Sequence, residues 1–275
     1  MKTSTYKVKI GIVGCGAIGN GIASRIKKDL FNDAKIVSIF DIDKNKSLKL
    51  SKKLKIKNLA ADSIEELISK SDCVVEAINA ENTEEIIKKI IKNRKTVLVM
   101  SVGKLIDADY LFQLARKNKC YILLPSGAIA GVDAIKAASL VKVKSITLTT
   151  KKPPKGFLNN RYFEKKGIDI SKVTKETVLF DGNVNTAVER FPQNINVAAT
   201  IALASQLKNK IRIKIITSPA FKKNVHEIEM VGDFGRIVTK TENVVCPENP
   251  KTSYLAILSG FQTLKQFCTG ILVGT

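Results

Sequence analysis

The chain has 275 residues, which is enough for one large domain or two modest ones, each with a hydrophobic core. Hydrophobic residues make up 44 % of the chain, and no apolar run is long enough to span a membrane. Met1–Lys9 also lacks the apolar block of a signal peptide. We therefore expect a cytoplasmic globular protein without membrane contact. The formal net charge of +21 comes mainly from lysines on expected helix surfaces, without an arginine cluster, and this favours a basic surface over a specific nucleic-acid site.

The five cysteines argue against a disulfide framework and against a zinc site, because no two of them stand in a C-x-x-C spacing. They are Cys15, Cys73, Cys120, Cys246 and Cys268. Cys15 lies in a glycine-rich turn, where nearby N–H groups would lower the pKa of its thiol or where it would simply fill space, and we favour the second interpretation. We predict no bound metal ion.

The first predicted elements are a strand, a glycine-rich turn and a helix. Ile10–Val13 is a short run rich in β-branched residues, as expected of a buried parallel strand, and the residues from about Asn20 to Leu30 have a helical pattern. Between them lies the sequence Gly-Cys-Gly-Ala-Ile-Gly, and a second apolar run after the helix ends at Asp41. This order is typical of a dinucleotide-binding unit.

Each glycine of the turn has a physical role in this prediction. Gly14 makes the tight turn, Gly16 lets the backbone approach a diphosphate, and Gly19 lets the helix pack closely on the strand. The carboxylate of Asp41 lies at the sequence distance expected for hydrogen bonds to the adenosine ribose, which favours NAD, although nearby lysines leave NADP open. The predicted cofactor-binding residues of this stretch are Gly14, Gly16, Ala17, Ile18, Gly19 and Asp41.

Strands and helices continue to alternate as far as Pro125. Apolar runs at residues 73–78, 96–100 and 120–124 predict further buried strands, and the segments between them predict helices. This alternation predicts an α/β fold with a Rossmann doubly wound parallel sheet, in which ligands lie beyond the carboxyl ends of the strands. We assign residues 1–125 to a dinucleotide-binding Rossmann domain.

The pattern changes after Pro125. A small glycine-rich segment, helices and four predicted strands, at 143–150, 212–218, 226–232 and 236–242, indicate a C-terminal α+β domain with an open-faced sheet. Residues 151–172 are basic and rich in turn-forming residues, and we expect a long loop there. We assign residues 126–250 to a catalytic, substrate-binding and dimerisation domain, and 251–275 to a C-terminal helix that packs back on the Rossmann domain.

Five polar residues are candidates for chemistry. His226 is the only histidine, and imidazole is the side chain best suited to take or relay a proton near neutral pH. Its position alone does not separate a catalytic role from an incidental one. Lys104 and Asp133 follow predicted loops, and Asn194 and Asn196 begin an apolar helix, where each would cap the helix or hold a ligand amide.

Two segments of the second half are distinctive. Pro125–Gly131 is a Pro-Ser-Gly loop, and Phe191–Thr200 carries two asparagines at the start of an apolar helix. Further motifs are Gly11–Gly19, Met100–Gly103, His226–Ile228, Gly232–Gly235 and Glu248–Ser253. In these motifs together the chain resembles the L-aspartate dehydrogenase family, over nearly its whole length.

The resemblance implies NAD(P)-dependent oxidative deamination of L-aspartate to iminoaspartate, which hydrolyses to oxaloacetate and ammonia. It implies a link to NAD biosynthesis and a homodimer. His226 matches the catalytic histidine of the family, and Ala130 and Asn196 match positions that contact the cofactor near its nicotinamide end. The chain departs from the family pattern at Ile78–Ala80, near the cofactor, and in an extended lysine-rich stretch at 151–175.

Two other kinds of function stay open. One is another Rossmann oxidoreductase, of the homoserine dehydrogenase or dihydrodipicolinate reductase type. The other is a binding protein without catalysis, which would sense NAD or bind nucleic acid through its basic surface. Aspartate oxidation is favoured by the Phe191–Thr200 segment and by the single histidine.

Overall fold

The computed structural model describes residues 7–78, 80–158, 160–165, 167–191, 195–246 and 249–274. Asn79 and Asn194, which the sequence singles out, lie outside the described residues. The chain divides into two compact units. The first unit runs as far as Pro125 and includes Ile257–Val273, whereas the second contains Ser126–Ala256 and the residues from Gly274.

The first unit is built around a five-stranded parallel sheet with the strand order β2-β1-β3-β4-β5. Its strands are β1 (Val8–Val13), β2 (Ala34–Phe40), β3 (Cys73–Glu76), β4 (Thr96–Val99) and β5 (Ile122–Leu123). Its helices are α1 (Ala17–Asp29), α2 (Lys44–Leu54), α3 (Ile64–Lys70), α4 (Thr83–Lys92) and α5 (Asp109–Asn118). β3 and β4 are buried along their whole length, which explains why they form continuous apolar runs instead of alternating.

The second unit is built around a mixed five-stranded sheet with the order β10-β9-β6-β8-β7, in which only β6 and β8 are parallel. Its strands are β6 (Val143–Lys152), β7 (Thr177–Asn183), β8 (Ile211–Thr217), β9 (Asn224–Gly232) and β10 (Gly235–Asn243), with a small ladder of β11 (Val245–Cys246) and β12 (Asn249–Ser253). Its helices are α6 (Val132–Ala138), α7 (Arg161–Lys165), α8 (Val184–Arg190) and α9 (Asn196–Ser205). The predicted fold class is therefore confirmed.

The two faces of this second sheet differ. Alternate residues of the central strands, such as Leu148, Ile213 and Ile228, are buried and form the core beneath one face. The residues between them are polar and form ion pairs on the opposite face, as Lys151 does with Glu227. This alternation decides which side chains of each strand can belong to a buried site.

The prediction of a long loop at 151–172 is wrong. Its first two residues extend β6, and short helical segments follow. Phe157 and Phe163 are buried with their rings 6.4 Å apart, and Phe163 also lies 5.6 Å from the ring of Phe191. Aromatic packing thus organises a segment whose sequence has neither a helical nor a strand period. The sequence analysis also did not predict β7 or α8, which follow this segment.

The last helix, α10 (Tyr254–Thr269), belongs from Ile257 onward to the first unit. The side chain of Ile257 packs against Gly21, where an added Cβ would lie 2.7 Å from Ile257 Cγ2. Gly260 packs in the same way against the sulfur of Met100. Among the described residues, no helix is long and apolar enough to cross a membrane.

Candidate active site

The glycine turn of the first unit is packed against backbone. Gly14 has a φ of +95°, and an added Cβ would lie 2.4 Å from the carbonyl oxygen of Ala77. At Gly19 an added Cβ would lie 1.9 Å from the carbonyl oxygen of Gly14. Only glycine fits at these two positions, because a backbone atom cannot move aside as a side chain can.

Gly16 has a different environment, because an added Cβ would meet nothing within 4 Å. It is the N-cap of α1, and the first helical hydrogen bond runs from the N–H of Asn20 to its carbonyl oxygen, at 2.8 Å. The N–H groups of Ala17, Ile18 and Gly19 precede that bond and have no acceptor within the helix. Open space at Gly16, next to these donors, is compatible with the close approach of a diphosphate.

Asp41 lies at the end of β2, beside this turn. Its Oδ2 accepts a hydrogen bond from the N–H of Cys15 at 2.8 Å, and its Oδ1 accepts one from Asp43 N–H at 2.9 Å. The carboxylate is thereby fixed next to the glycine turn, as a ribose-binding group requires. The reactive interpretation of Cys15 is wrong, because burial, followed by the charge of Asp41, raises the pKa of its thiol to about 12.

Glu76 was missed by sequence reasoning. Its side chain is fully buried at the carboxyl end of β3, and it accepts hydrogen bonds from the N–H of Ile78 at 2.8 Å and from Ser101 Oγ at 2.6 Å. Burial raises the pKa of this carboxyl group. Through these hydrogen bonds Glu76 connects the segments that follow β3 and β4. The sequence signal that could have identified it is a single acidic residue within an apolar run.

His226 lies on the buried face of the second sheet. It is only 5 % exposed, it pairs in register with Thr150 of β6, and its Nδ1 is 3.1 Å from Thr150 Oγ1. Burial, and secondly the charge of Lys152, lower the pKa of His226 to about 3. The imidazole is therefore neutral at neutral pH, and one of its two ring nitrogens carries a lone pair.

Lys152 follows Thr150 by two residues and so faces the same side of the sheet. It is half-buried, and burial lowers the pKa of its ammonium group to about 8. Lys151, one residue before it, points to the opposite face and pairs with Glu227 at 3.1 Å. Lys152 thus places a cationic side chain of β6 on the face of His226.

The loop that contains Ala130 is held to the strand beside His226. The carbonyl oxygen of Ala128 accepts hydrogen bonds from Thr241 Oγ1 at 2.9 Å and from Asn243 Nδ2 at 3.0 Å. In register, Thr241 pairs with His226. The second unit therefore brings the predicted catalytic residue and the predicted nicotinamide-contacting loop to the same part of its sheet.

The other sequence candidates have less distinctive positions. Asn196 is the exposed first residue of α9, and its carbonyl oxygen accepts a hydrogen bond from Thr200 Oγ1 at 2.9 Å. Lys104 is exposed in a short helical turn of the first unit, and Asp133 is exposed in the first turn of α6. Across the described residues, no cluster of histidine, cysteine, aspartate and glutamate side chains could hold a metal ion.

Sequence reasoning missed the polar neighbours of His226. These are Thr150 and Lys152 on β6 and Thr241 and Asn243 on β10, the two strands that flank the His226 strand β9. A signal for two of them exists in β6, where Thr150 and Lys152 continue the alternation of the buried Ile146 and Leu148. Polar residues in the buried phase of a strand indicate either a hydrogen-bonded core or a site.

Comparison with known proteins assigns both halves of the chain. Residues 14–125 match the NAD-binding domain of homoserine dehydrogenase, and residues 133–267 match the C-terminal domain of aspartate dehydrogenase. The crystal structure of aspartate dehydrogenase from Thermotoga maritima is similar with a TM-score of 0.73 and 25 % identity, covering 98 % of this chain and 100 % of that one. A homoserine dehydrogenase from Thiobacillus denitrificans shares the fold, with a TM-score of 0.62 at 14 % identity over 96 % of this chain and 74 % of that one.

Sequence identity is higher for relatives from Methanosarcina species. The L-aspartate dehydrogenase of Methanosarcina barkeri is 42 % identical over 271 residues, which cover 98 % of this chain and 100 % of that protein. This match includes both the glycine turn and the His226 strand. The chain belongs to the L-aspartate dehydrogenase family.

Proposed function

We propose that the protein oxidises L-aspartate with NAD or NADP to iminoaspartate, which water converts to oxaloacetate and ammonia. The observation that carries this proposal is the placement of His226. It is buried beside Thr150, on the sheet that also holds the Ala128–Ala130 loop, in a member of the aspartate dehydrogenase family. His226 is the only histidine of the sequence, so no other imidazole is available for this role.

The cofactor would be held by the residues named from the sequence. Gly14–Gly19 would receive its diphosphate, Asp41 its adenosine ribose, and Ala130 with Asn196 its nicotinamide end. When bound, the nicotinamide accepts a hydride from the substrate Cα. NAD is favoured over NADP, because Asp41 would repel a ribose 2′-phosphate and the nearby Lys44 is paired with Asp62 at 2.9 Å.

His226 would move the protons of the reaction. If its Nδ1–H donates to Thr150 Oγ1, then Nε2 carries the lone pair and can accept a proton. This nitrogen would relay a proton from the ammonium group of aspartate towards solvent, so that the amine electrons can form the C=N bond as the hydride leaves Cα. After that proton has passed to solvent, Nε2 assists the water that attacks the imine carbon.

Replacement of His226 tests the assignment. We expect His226→Ala to lower kcat by about a thousandfold, the range of a lost general base, while NADH still binds with wild-type affinity. Initial rates with aspartate and fluorescence titration with NADH measure the two quantities. A variant that keeps kcat within a few-fold of wild type would overturn the role of His226.

A substrate comparison separates the competing functions. Aspartate and homoserine are each supplied with NAD and with NADP, and reduction is followed at 340 nm. We expect aspartate-dependent reduction, faster with NAD. Faster turnover of homoserine would favour the homoserine dehydrogenase type, to which the match of residues 14–125 points. Tight NADH binding without turnover of either would favour a sensor.

We further infer a homodimer formed through the second unit, in a reducing compartment such as the cytoplasm, with iminoaspartate passing into NAD biosynthesis. Support for the dimer comes from large apolar side chains that this unit exposes, among them Leu140 and Val238. Support for the compartment comes from the cysteines, all five of which are free thiols. Light scattering after size exclusion measures the mass, and a monomer at micromolar concentration would exclude the dimer.

A further inference from the structure

The buried face of β6 changes character along the strand. Ile146 and Leu148 belong to the apolar core, whereas Thr150 and Lys152, in the same phase of the strand, are polar. Residues two apart on one face are separated by about 6.8 Å. Lys152 therefore lies one position beyond the Thr150–His226 pair, away from the core.

The ammonium group of Lys152 is close enough to His226 to affect it. Its positive charge is the second cause, after burial, of the lowered pKa of His226. Thr217, the register partner of Lys152 on β8, is buried and donates a hydrogen bond from Oγ1 to the carbonyl oxygen of Lys152 at 2.9 Å. The backbone of Lys152 is thus fixed, and its half-buried side chain extends from the sheet face that carries Thr150 and His226.

We propose that Lys152 binds the side-chain carboxylate of L-aspartate and so selects a dicarboxylic amino acid. This inference rests on the proposed reaction of aspartate at His226. The reaction at His226 involves Cα and its amine, so a cation one position further along the sheet suits the carboxylate that is more distant from Cα. A partly desolvated ammonium group interacts with a carboxylate more strongly than an exposed one does.

Substrate binding would also change the environment of His226. A carboxylate beside Lys152 offsets the positive charge that disfavours protonation of the imidazole. The proton acceptor would therefore become more basic when a substrate with a second carboxylate is present. An amino acid without that carboxylate would lose both the ion pair and this effect.

Lys151 provides a matched control. It is the same residue type, adjacent on the same strand, but it lies on the opposite face and pairs with Glu227. The variants Lys152→Met, Lys152→Arg and Lys151→Met are compared with wild type. Melting temperature and NADH affinity are measured for each, so that a variant that does not fold is recognised, and Lys152→Arg keeps the positive charge in case Lys152→Met is unstable.

The first measurement is aspartate turnover. We expect Lys152→Met to lower kcat/KM by about 100-fold, mostly through KM, as for the loss of one member of a partly buried charge pair. We expect Lys152→Arg to recover part of that loss, and Lys151→Met to stay within about threefold of wild type. Equal rates for Lys152→Met and Lys151→Met would overturn the inference, whereas inactivity of the wild type towards aspartate would overturn the proposed function itself.

The second measurement uses inhibitors that differ in one carboxylate. L-Malate has both carboxylates of aspartate, and L-lactate lacks the side-chain carboxylate. We expect Lys152→Met to raise the inhibition constant of L-malate by at least about tenfold and that of L-lactate by less than about threefold. Equal effects on the two inhibitors would place Lys152 at the α-carboxylate, and no effect on either would show that it binds neither carboxylate. Both results would overturn the inference.

Discussion

The two units of this protein present functional groups in opposite ways. In the first unit the candidate site is formed mainly by backbone: N–H groups at the start of α1 and glycines that touch other main-chain atoms. In the second unit it is formed by side chains on one face of a sheet, contributed by β6, β9 and β10. The backbone site is therefore sensitive to any added side-chain atom, whereas the side-chain site is sensitive to the residue type at each position.

Among the substitutions considered for the backbone site, we expect the largest effect at Gly19. We expect Gly19→Ala to lower the free energy of unfolding by about 2–3 kcal/mol, because the new Cβ would overlap the carbonyl oxygen of Gly14, and to weaken NADH binding by about 100-fold. Gly16→Ala is the matched control, since its Cβ meets open space in the protein. It should keep the wild-type melting temperature within about 2 °C yet weaken NADH binding.

Thermal unfolding and NADH titration measure both variants. Wild-type stability in Gly19→Ala would show that the turn can relax and that the site is less dependent on close backbone packing than we infer. Loss of stability in Gly16→Ala would contradict the open space described there.

The second unit is tested most directly through the protonation of His226. Its folded-state pKa of about 3 lies below the ordinary 6.5, so the unfolded chain binds the proton between these values. The contribution to stability is complete above about pH 6.5 and decreases as pH falls towards 3, by about 1.4 kcal/mol per pH unit. His226→Gln should remove this part of the acid sensitivity.

Nuclear magnetic resonance can measure this pKa without ambiguity, because the chain contains a single histidine once any purification tag is cleaved. We expect the ring to stay neutral down to about pH 4.5, well below the ordinary value. Lys152→Met should move the titration upward, since the charge of Lys152 contributes to the lowered pKa. Titration of the wild type above pH 6 would contradict the burial that keeps the imidazole neutral.

The smallest expected effect concerns the loop next to His226. Thr241→Val removes a hydrogen bond to the carbonyl oxygen of Ala128 while Asn243 keeps its own. We expect a loss of about 1 kcal/mol in the free energy of unfolding and a rise of a few-fold in KM for NAD. Thr149→Val, on the opposite face of the sheet, is the control. A wild-type KM in Thr241→Val would mean that the loop does not depend on this side chain.

The first unit could be predicted from sequence because its signals are local. The glycines and Asp41 lie within one strand–turn–helix–strand segment, and buried parallel strands appear as apolar runs. Glu76 escaped because its role depends on Ser101, which lies in the segment after the next strand. A contact between segments has no periodic signature.

The second unit was predictable in class but not in detail. His226, Thr150 and Thr241 come together only through the strand order, with Thr150 and His226 separated by 76 positions. Sequence alternation marks a side chain as buried but does not say which strand lies beside it. Residues 151–172 were misassigned as a loop for a related reason, since their aromatic side chains pack with one another across short, irregular elements.

The return of α10 to the first unit has a consequence for how the chain folds. On the ribosome, the part up to Pro125 emerges long before Ile257 and Gly260, which cover Gly21 and Met100. The nascent first unit would therefore expose an apolar surface until the second unit, Ser126–Ala256, has been synthesised. Chaperones bind such surfaces. In a circular permutant with α10 at the N-terminus, the helix would be synthesised first and could cover the apolar surface of the first unit as soon as that unit folds.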